Sequence, residues 1–216
     1  MSTSDFSHEY YRHARKEMLP FVPADATRIL EIGCAHGNFS AILKQRNQAE
    51  TWGIELDPRV ASEAADKLDR VLTGTIEANL AALPDSYFDC IVCNDVLEHL
   101  SNPEAALRAL RRVMAPGATL VGSIPNVRYF PVLFDLVWNA DWQYADYGVL
   151  DRTHQRFFTH KSLARTLRDC GYQPQQITGI NPTPSIKARL ASALTLGKLN
   201  DCRYLQFAFV ATANPV

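Results

Sequence analysis

The 216-residue sequence lacks any long hydrophobic run and has almost no net charge. Its most apolar stretch, Tyr129 to Trp138, contains Asp135 and is about half the roughly 18 residues that a membrane-spanning helix needs. The net charge of −1 gives no electrostatic footprint for nucleic acid or for an anionic membrane. The polar start, Met1 to Asp5, has no apolar core of the kind that a signal peptide carries. We therefore expect a cytoplasmic protein with no membrane span and no nucleic-acid partner.

Cysteine is scarce too, with five residues at scattered positions. Cys90 and Cys93 have the spacing of half a zinc site, but their neighbours indicate a β-strand, where side chains three positions apart point to opposite faces. No second ligand pair accompanies them. We therefore expect small buried cysteines in a reducing compartment and no metal site.

Length and composition favour one ordinary globular domain covering residues 1–216. A chain of this length can bury a sizeable core, and the hydrophobic fraction of 47% and charged fraction of 21% are typical of globular proteins. Short apolar runs alternate with helical stretches along the chain. Beyond those discussed below, the predicted elements are helices Pro103–Met114, Ser162–Cys170 and Ser185–Leu196, strands Arg70–Leu72, Thr119–Pro125, Gln173–Thr178 and Leu205–Thr212, and a tight turn over Ala115–Ala118.

A glycine loop follows the first predicted strand, Arg28–Ile32, and opens into a helix predicted from about Asn38 to Gln45. Glycines there allow a sharp turn and the close approach of a ligand that a Cβ would block. Glu31 stands two residues before the first glycine. Because a carboxylate repels a pyrophosphate but suits an ammonium group, the loop predicts a ligand with a cationic end.

Glu55 ends the second predicted strand, Thr51–Glu55, about 20 residues after the glycine loop. Nucleoside-binding folds carry an acid at this distance, because a carboxylate accepts hydrogen bonds from both ribose hydroxyls. The alternative is a solvated glutamate at the end of a strand. Asp57 then has the position of an N-cap for a helix predicted over Pro58–Leu68.

The pattern Glu31-x-Gly33-x-x-x-Gly37 resembles the first motif of the class I S-adenosylmethionine-dependent methyltransferases, with Ala35 in place of the usual middle glycine. Phe88-Asp89-x-Ile91, followed by Val-Leu-Glu-His-Leu and Asn-Pro, resembles the fourth-strand region of their small-molecule members. The resemblance runs from Ile29 to about Pro125. It implies an α/β, Rossmann-like three-layer αβα sandwich with a mostly parallel seven-stranded sheet and an antiparallel last strand.

The same resemblance implies S-adenosyl-L-methionine as the cofactor and a set of residues that border it. Thr75 stands where the family often has an aspartate that contacts the adenine amine, and Ile76 would supply an apolar wall. The implied cofactor-binding residues are Glu31, Gly33, Cys34, Ala35, Gly37, Glu55, Leu56, Thr75, Ile76, Asn94, Asp95 and Val96.

A long aromatic segment, residues about 126–158, follows the fifth strand. Loops of this length are usually lids or binding elements, so we expect an acceptor-side lid or insertion here. The alternative is a helix, Val132–Trp138, that merely covers the sheet edge. The runs Pro-Asn-Val-Arg and Leu-Asp-x-Thr-His-x-Arg-Phe-Phe-Thr resemble a methyltransferase subgroup linked to cell-surface polysaccharide biosynthesis. That resemblance implies a glycan-type acceptor.

Two histidines are candidate general bases. His154 lies in the acceptor-side segment, where the alternative role is a structural tie between lid and sheet. His99 is four residues after Asp95, so the two would share a helix face if a helix began there. The alternative for His99 is to fix the loop by hydrogen bonds.

The first predicted helix, Phe6 to Leu19, is amphipathic and would be ended by Pro20. Its side chains His8, Tyr10, Tyr11 and Arg12 would either border the cofactor or belong to a helix that caps the sheet.

The function expected from these residues is transfer of a methyl group from S-adenosylmethionine to a small-molecule or glycan-type acceptor, with O-methylation as the expected reaction. One alternative is a noncatalytic module that binds S-adenosylmethionine. The other is a nicotinamide-dependent oxidoreductase with an altered loop, which the glycine spacing and Glu31 disfavour.

Overall fold

Seven strands form one sheet in the computed structural model, which describes residues 14–214. The strands are β1 (Arg28–Ile32), β2 (Glu50–Glu55), β3 (Arg70–Thr73), β4 (Phe88–Asn94), β5 (Met114–Pro125), β6 (Tyr172–Pro182) and β7 (Tyr204–Ala213). Their order is β3-β2-β1-β4-β5-β7-β6, with parallel pairing from β3 to β5 and antiparallel pairing of β7 with both neighbours. The predicted sheet, mostly parallel with an antiparallel last strand, is confirmed.

Seven α-helices occur among residues 14–214. They are α1 (Asn38–Asn47), α2 (Pro58–Ala65), α3 (Ile76–Asn79), α4 (Pro103–Leu110), α5 (Phe130–Phe134), α6 (His160–Asp169) and α7 (Ile186–Leu194). Helix α1 packs on one face of the sheet, while α4 and α6 pack on the other. Local sequence explains several of their starts. The Asp57 carboxylate caps α2 by accepting from the Arg59 N–H, and Thr159 and Ser162 form a reciprocal capping box on α6.

The sheet divides the core into two layers. Cys90 and Val92 of β4 pack on one face with Phe39 and Leu43 of α1, whereas Cys93 packs on the other face with the layer that α4 and α6 cover. The prediction that Cys90 and Cys93 point to opposite faces is therefore confirmed, and neither can join the other in a zinc site.

Several predicted element boundaries are wrong. The four residues predicted as a tight turn, Ala115–Ala118, lie inside β5 as a bulge, because Phe88 pairs with Met114 while Cys90 pairs with Thr119. The bulge absorbs the extra residues at Gly117, where φ is +77°. Helix α4 ends at Leu110 rather than Met114, and α2 ends at Ala65 rather than Leu68.

The first predicted helix falls mostly outside the described residues. Of Phe6–Leu19, the structure describes only the end, which belongs to a 3-10 helix over Lys16–Phe21 that contains Pro20 rather than ending before it. His8, Tyr10, Tyr11 and Arg12 lie outside the described part of the chain.

The strand order also fixes where a ligand can bind. The chain leaves β1 toward β2 on one side and later returns to place β4 on the other side of β1. In open α/β sheets the crevice at this reversal, outside the carboxyl ends of the strands, is the usual ligand site. The loops after β1, β2 and β4 open at this edge.

Candidate active site

The glycine loop after β1 is shaped by three left-handed residues, Gly33, Ala35 (φ +47°) and Gly37. Gly33 has φ +67°, and a Cβ on it would stand 2.8 Å from Val96 Cγ2. Gly37 has φ +71° and is the N-cap of α1, and a Cβ on it would stand 3.2 Å from Ala64. Any larger residue at either position would strain the backbone and collide with its neighbours. The loop is therefore held tightly against the segment after β4 and against α2.

Backbone N–H groups of this loop are mostly satisfied within the protein. Gly33 and Cys34 both donate to the Ile54 carbonyl, at 2.8 and 3.1 Å, and Gly37 donates to the Cys34 carbonyl at 2.8 Å. Ala35 N–H donates to the Glu55 carboxylate at 2.9 Å. The loop thus offers a ligand a close approach to backbone rather than a cradle of free donors.

Glu55 links the loop after β1 to the loop after β2. It is buried, and its oxygens accept from the N–H groups of Ala35 at 2.9 Å and of Asp57 at 3.0 Å. Each carboxylate oxygen has a second lone pair, so the group can still accept from a pair of neighbouring hydroxyls. Leu56, the next residue, is 67% exposed and leaves an apolar side chain at the mouth of the crevice.

Glu31 is a buried acid beneath the loop. Ser40 Oγ donates to its carboxylate at 2.6 Å. Burial raises the pKa of Glu31 to about 8, although the bond from Ser40 and the positive charge of Arg15 oppose the shift. An ammonium group bound nearby would favour the ionised form. The acid that the sequence singled out is therefore buried next to the start of α1, with Ser40 as its hydrogen-bond partner.

The end of β4 carries an amide without partners. The side-chain oxygen and nitrogen of Asn94 are buried and make no hydrogen bond to any described residue. Asp95, next to it, adopts φ +52°, forms an ion pair with Arg15 and accepts from Ser123 Oγ at 2.9 Å and Gln206 Nε2 at 2.8 Å. Buried amides are rarely left without partners, so Asn94 is suited to a polar ligand.

Thr75 and Ile76 follow β3 at the same edge. Thr75 Oγ1 caps α3 by accepting from the Ala78 N–H at 3.3 Å. Ile76 is only 4% exposed and belongs to the larger core cluster. The threonine that replaces the family's usual aspartate thus has a structural partner of its own.

His99 and His154 meet near the end of β4, with ring centroids 4.7 Å apart in an edge-to-face arrangement. The helix face predicted for Asp95 and His99 is wrong, because the left-handed Asp95 breaks the chain and only Leu97–His99 form a 3-10 turn. The sequence indicated each histidine separately as a candidate base and did not predict that the two rings are in contact.

Hydrogen bonds assign the tautomer of each ring. Thr153 Oγ1 donates to Asp151 Oδ1 at 2.6 Å, so it accepts from Nδ1–H of His99 at 3.1 Å. Nδ1–H of His154 donates to the Val149 carbonyl at 3.0 Å. Each ring is therefore anchored through Nδ1–H, and the neutral form of His99 carries its free lone pair on Nε2. Burial and the neighbouring His154 lower the pKa of His99, which keeps that ring neutral at pH 7.

Glu98 completes this cluster, and the sequence did not indicate it as a site residue. Its side chain is buried, and neither carboxylate oxygen has a hydrogen-bond partner among the described residues. Burial raises the pKa of Glu98 to about 8. One oxygen of Glu98 and one nitrogen from each of His99 and His154 lie within 4.8 Å of one another. These three groups have the donor types to hold a divalent cation, a set that sequence spacing did not reveal.

The segment that contains His154 is tied to the sheet at both ends. Asn126 and Phe158 form an isolated parallel bridge, and Asn126 Nδ2 donates to the carbonyls of Asp201 and Tyr204, each at 2.9 Å. Near His154, the N–H groups of Gln155 and Arg156 donate to the Glu98 carbonyl at 2.8 and 3.0 Å. Residues 126–158 therefore form an excursion with adjacent ends whose last part is fastened over the turn after β4.

The helical part of that segment has no fully buried residue. It consists of α5 (Phe130–Phe134) continued by a π-helix over Asp135–Asn139, and neither contains a buried residue. Trp138 is 78% exposed. The lid and its alternative, a helix that covers the sheet edge, both stay predictions. Trp142 packs edge to face on Phe157, with centroids 5.4 Å apart, beside the histidine cluster.

The strand order, the glycine loop and the two acids at the ends of β1 and β2 together define a class I methyltransferase fold. Comparison with known proteins agrees: the family model described as a methyltransferase domain matches residues 5–177. The chain belongs to this family and is an S-adenosylmethionine-dependent methyltransferase. The nicotinamide-dependent alternative is thereby overturned.

Named relatives are similar over most of the chain. A ubiquinone biosynthesis O-methyltransferase from Azoarcus sp. is 30% identical over 193 residues, covering 84% of this chain and 77% of that protein. The protein of the same name from Dechloromonas aromatica is 28% identical, covering 82% of this chain and 76% of its own length. The structure of an S-adenosylmethionine-dependent methyltransferase from Archaeoglobus fulgidus shares the fold, with a TM-score of 0.66 at 19% identity, covering 98% and 94% of the two chains.

Proposed function

We propose that this methyltransferase O-methylates a small-molecule hydroxyl acceptor and uses His154 to accept the hydroxyl proton. The observation that carries the proposal is the cluster of Glu98, His99 and His154, in which the His154 ring is anchored through Nδ1–H beside the end of β4. A methyl acceptor that is a hydroxyl needs its proton removed in the transition state, whereas a neutral amine or a thiolate does not. The similarity to enzymes named O-methyltransferases supports the same reaction.

The cofactor side of the proposal assigns a role to each loop at the crevice. Residues Gly33 to Gly37 would accommodate the methionine end, with Glu31 facing the ammonium group. Glu55 would hold the ribose hydroxyls. Asn94, Asp95 and Val96, together with Leu56, Thr75 and Ile76, would border the adenine and the sulfonium. The fit rests on the tight glycine positions, the buried acid and the unpartnered amide of Asn94.

Bound S-adenosylmethionine supplies an activated methyl group, and displacement at its carbon leaves S-adenosylhomocysteine. The chain's own task is then to hold the acceptor oxygen in line with that carbon and to exclude water. His154 Nε2 receives the proton as the oxygen–carbon bond forms, and the Val149 carbonyl holds the resulting imidazolium through Nδ1–H. His99, fixed by Thr153, keeps the His154 ring in place.

The acceptor would lie beneath residues 126–158, within the single domain that residues 1–216 are proposed to form. Trp142 and Phe157 supply flat apolar surfaces there, which suit an aromatic ring or the apolar face of a sugar. The similarity to enzymes named for ubiquinone biosynthesis favours a small aromatic acceptor over a saccharide. The free, buried state of all five cysteines supports a reducing, cytoplasmic location.

The experiment is to measure S-adenosylhomocysteine formed from S-adenosylmethionine with three acceptor panels: phenols and catechols, saccharides, and amines. We expect turnover with a phenol or catechol. Turnover with amines alone would overturn O-methylation, and turnover with saccharides alone would move the acceptor to the glycan class. Binding of S-adenosylhomocysteine with no turnover of any panel would favour the noncatalytic alternative.

A further inference from the structure

Helix α7 (Ile186–Leu194) packs its small residues against the protein and exposes its large apolar residues. The residues that face the protein are small, Ala188 and Ser192, which are 0% and 9% exposed. The large aliphatic residues at positions 186, 190 and 194 share the opposite face and are 70%, 57% and 84% exposed. A helix of a soluble globular protein normally buries its large apolar stripe, so this face is shaped for an apolar partner.

A second exposed apolar stretch lies next to α7. Val137 and Trp138 of the π-helix are 77% and 78% exposed. The two stretches adjoin, since Phe134 and Asp135 line a cavity of about 220 Å³ together with Ser185 and Lys187 at the start of α7. Leu196, just beyond α7, is 93% exposed and extends the apolar area. Adjoining exposed patches of this kind mark interaction sites rather than ordinary surface.

Basic side chains flank this apolar area. Lys187, Arg189 and Lys198 are all exposed, and the sequence from Ser185 to Lys198 contains no acid. Residues 185–198 are therefore locally basic in a chain of near-zero net charge, although Asp135 of the adjoining π-helix lies at the cavity beside Lys187. Apolar side chains bordered by lysine and arginine are the pattern of a helix that lies in the interface of an anionic bilayer.

We propose that the apolar face of α7, with Leu196 and the π-helix residues Val137 and Trp138, docks the enzyme on the surface of an anionic lipid membrane. A second copy of the chain is disfavoured, because a twofold contact uses the same patch on both copies and would place Lys187, Arg189 and Lys198 of both copies in one interface. Docking does not require a membrane span, and no helix among residues 14–214 is long and apolar enough to cross a bilayer.

The docking surface is independent of the proposed reaction, although both concern residues 126–158. The π-helix lies in the same excursion that carries His154. A bilayer that holds the π-helix would thus place the acceptor side of the enzyme next to the membrane. A lipid-linked acceptor could then reach the site without crossing bulk water.

The test is co-sedimentation of the full chain with vesicles of phosphatidylglycerol and, separately, of phosphatidylcholine. We expect binding to the anionic vesicles at low salt, at least tenfold weaker binding to neutral vesicles, and a decrease as salt rises. The double variant Leu190→Glu/Leu194→Glu should lose at least tenfold of the binding. Both positions are exposed, so circular dichroism and the midpoint of thermal unfolding should match the unaltered protein.

Two further variants separate the lipid surface from general charge effects. Lys187→Glu/Arg189→Glu should weaken binding to anionic vesicles strongly, whereas Arg165→Glu on the exposed side of α6 changes charge elsewhere and should have little effect. Tryptophan emission should shift to the blue on binding, and Trp138→Phe should remove that shift.

Failure of the unaltered protein to bind anionic vesicles would overturn the proposal. Concentration-dependent dimerisation that disappears in Leu190→Glu/Leu194→Glu would instead assign the surface to a second copy. Neither result would affect the turnover test of the proposed reaction, because that assay uses soluble acceptors.

Discussion

The imidazole rings of His99 and His154 meet edge to face, with centroids 4.7 Å apart, and each ring donates Nδ1–H to an oxygen atom of the excursion. His99 belongs to the turn after β4, and His154 belongs to the excursion that follows β5. Their contact joins the cofactor edge of the sheet to the acceptor side. Because each ring is held through Nδ1–H, the orientation of both rings is fixed where His154 is proposed to accept the proton.

The first prediction concerns His154→Ala. The general base contributes about 10² to 10⁴ in rate for an acceptor that must lose a proton, so turnover should fall by about 10² or more. The dissociation constant of S-adenosylhomocysteine, measured by calorimetry, should change less than about twofold, because His154 does not border the proposed cofactor crevice. A parallel loss of cofactor affinity would make the residue structural.

His160→Ala is the matched control, since His160 begins α6 and contacts the Phe207 ring outside the cluster. It should leave turnover close to that of the unaltered protein. Chelation adds a second check, because a proton acceptor needs no metal. If turnover were lost with a chelator and restored by Mg²⁺ or Zn²⁺, then Glu98, His99 and His154 would be cation ligands instead.

The second prediction concerns Glu55→Gln at the end of β2. Hydrogen bonds to a charged acceptor contribute about 1.5–3 kcal/mol, so loss of the carboxylate should weaken S-adenosylhomocysteine binding by about tenfold to a hundredfold. Glu50→Gln is the control on the same strand. Glu50 accepts from Trp52 Nε1 and the Tyr87 hydroxyl, each at 2.6 Å, at the opposite end of β2. It should lower stability without changing cofactor affinity, and equal losses in both variants would refute the ribose role.

Much of the fold was predictable from the sequence because it depends on local patterns. Short apolar runs between helical stretches predicted every strand of the sheet to within a few residues. The alternation of Cys90 and Cys93 followed from strand geometry alone. The bulge at Ala115–Ala118 was not predictable in this way, because Pro116 and Gly117 indicate a turn and only pairing with β4 keeps them in the strand.

The candidate site was predictable where a single loop carries the signal and not where distant segments meet. Glu31 at the end of β1 and Gly33 and Gly37 in the loop after it are close in sequence, so their pattern could be recognised directly. Glu98 gave no separate signal, because its importance comes from His154, which approaches from another part of the chain. The exposure of Leu190 and Leu194 also depends on which side of α7 faces the protein. The small residues Ala188 and Ser192 form the buried side, and the sequence pattern alone does not show this.

The third prediction concerns the pH dependence of stability. Burial raises the pKa values of Glu31 and Glu98 from 4.5 to about 8, so between these pH values the folded protein binds more protons than the unfolded chain. The free energy of unfolding should therefore fall as pH rises from about 4.5 to about 8, by up to about 1.4 kcal/mol per pH unit for each group, and then level off. Urea unfolding at pH 5, 6.5 and 8 measures this fall.

Glu31→Gln and Glu98→Gln should each flatten that dependence, because an amide does not titrate. The exposed Glu77→Gln is the control and should leave the slope unchanged. For Glu31 a further consequence follows, since a bound ammonium group favours the ionised carboxylate. S-Adenosylhomocysteine should bind more tightly as pH rises toward 8 and should release protons on binding. A pH-independent affinity would show that Glu31 does not face the ammonium group.

The last prediction concerns Asn126, which fastens the acceptor-side excursion. Its fully buried amide donates to the carbonyls of Asp201 and Tyr204 and accepts from the Arg128 N–H at 3.0 Å. Asn126→Ala leaves these groups without partners, so we expect a loss of about 2–4 kcal/mol in the free energy of unfolding, measured in urea. Asn139→Ala removes an exposed bond to Asp135 and should cost less than about 0.5 kcal/mol.

Asn126→Ala should also change the kinetics. Because the ends of the excursion separate in this variant while the glycine loop stays intact, the KM for the acceptor should rise more than the KM for S-adenosylmethionine. An equal rise in both KM values would place the effect of Asn126 in the fold as a whole rather than in the acceptor side.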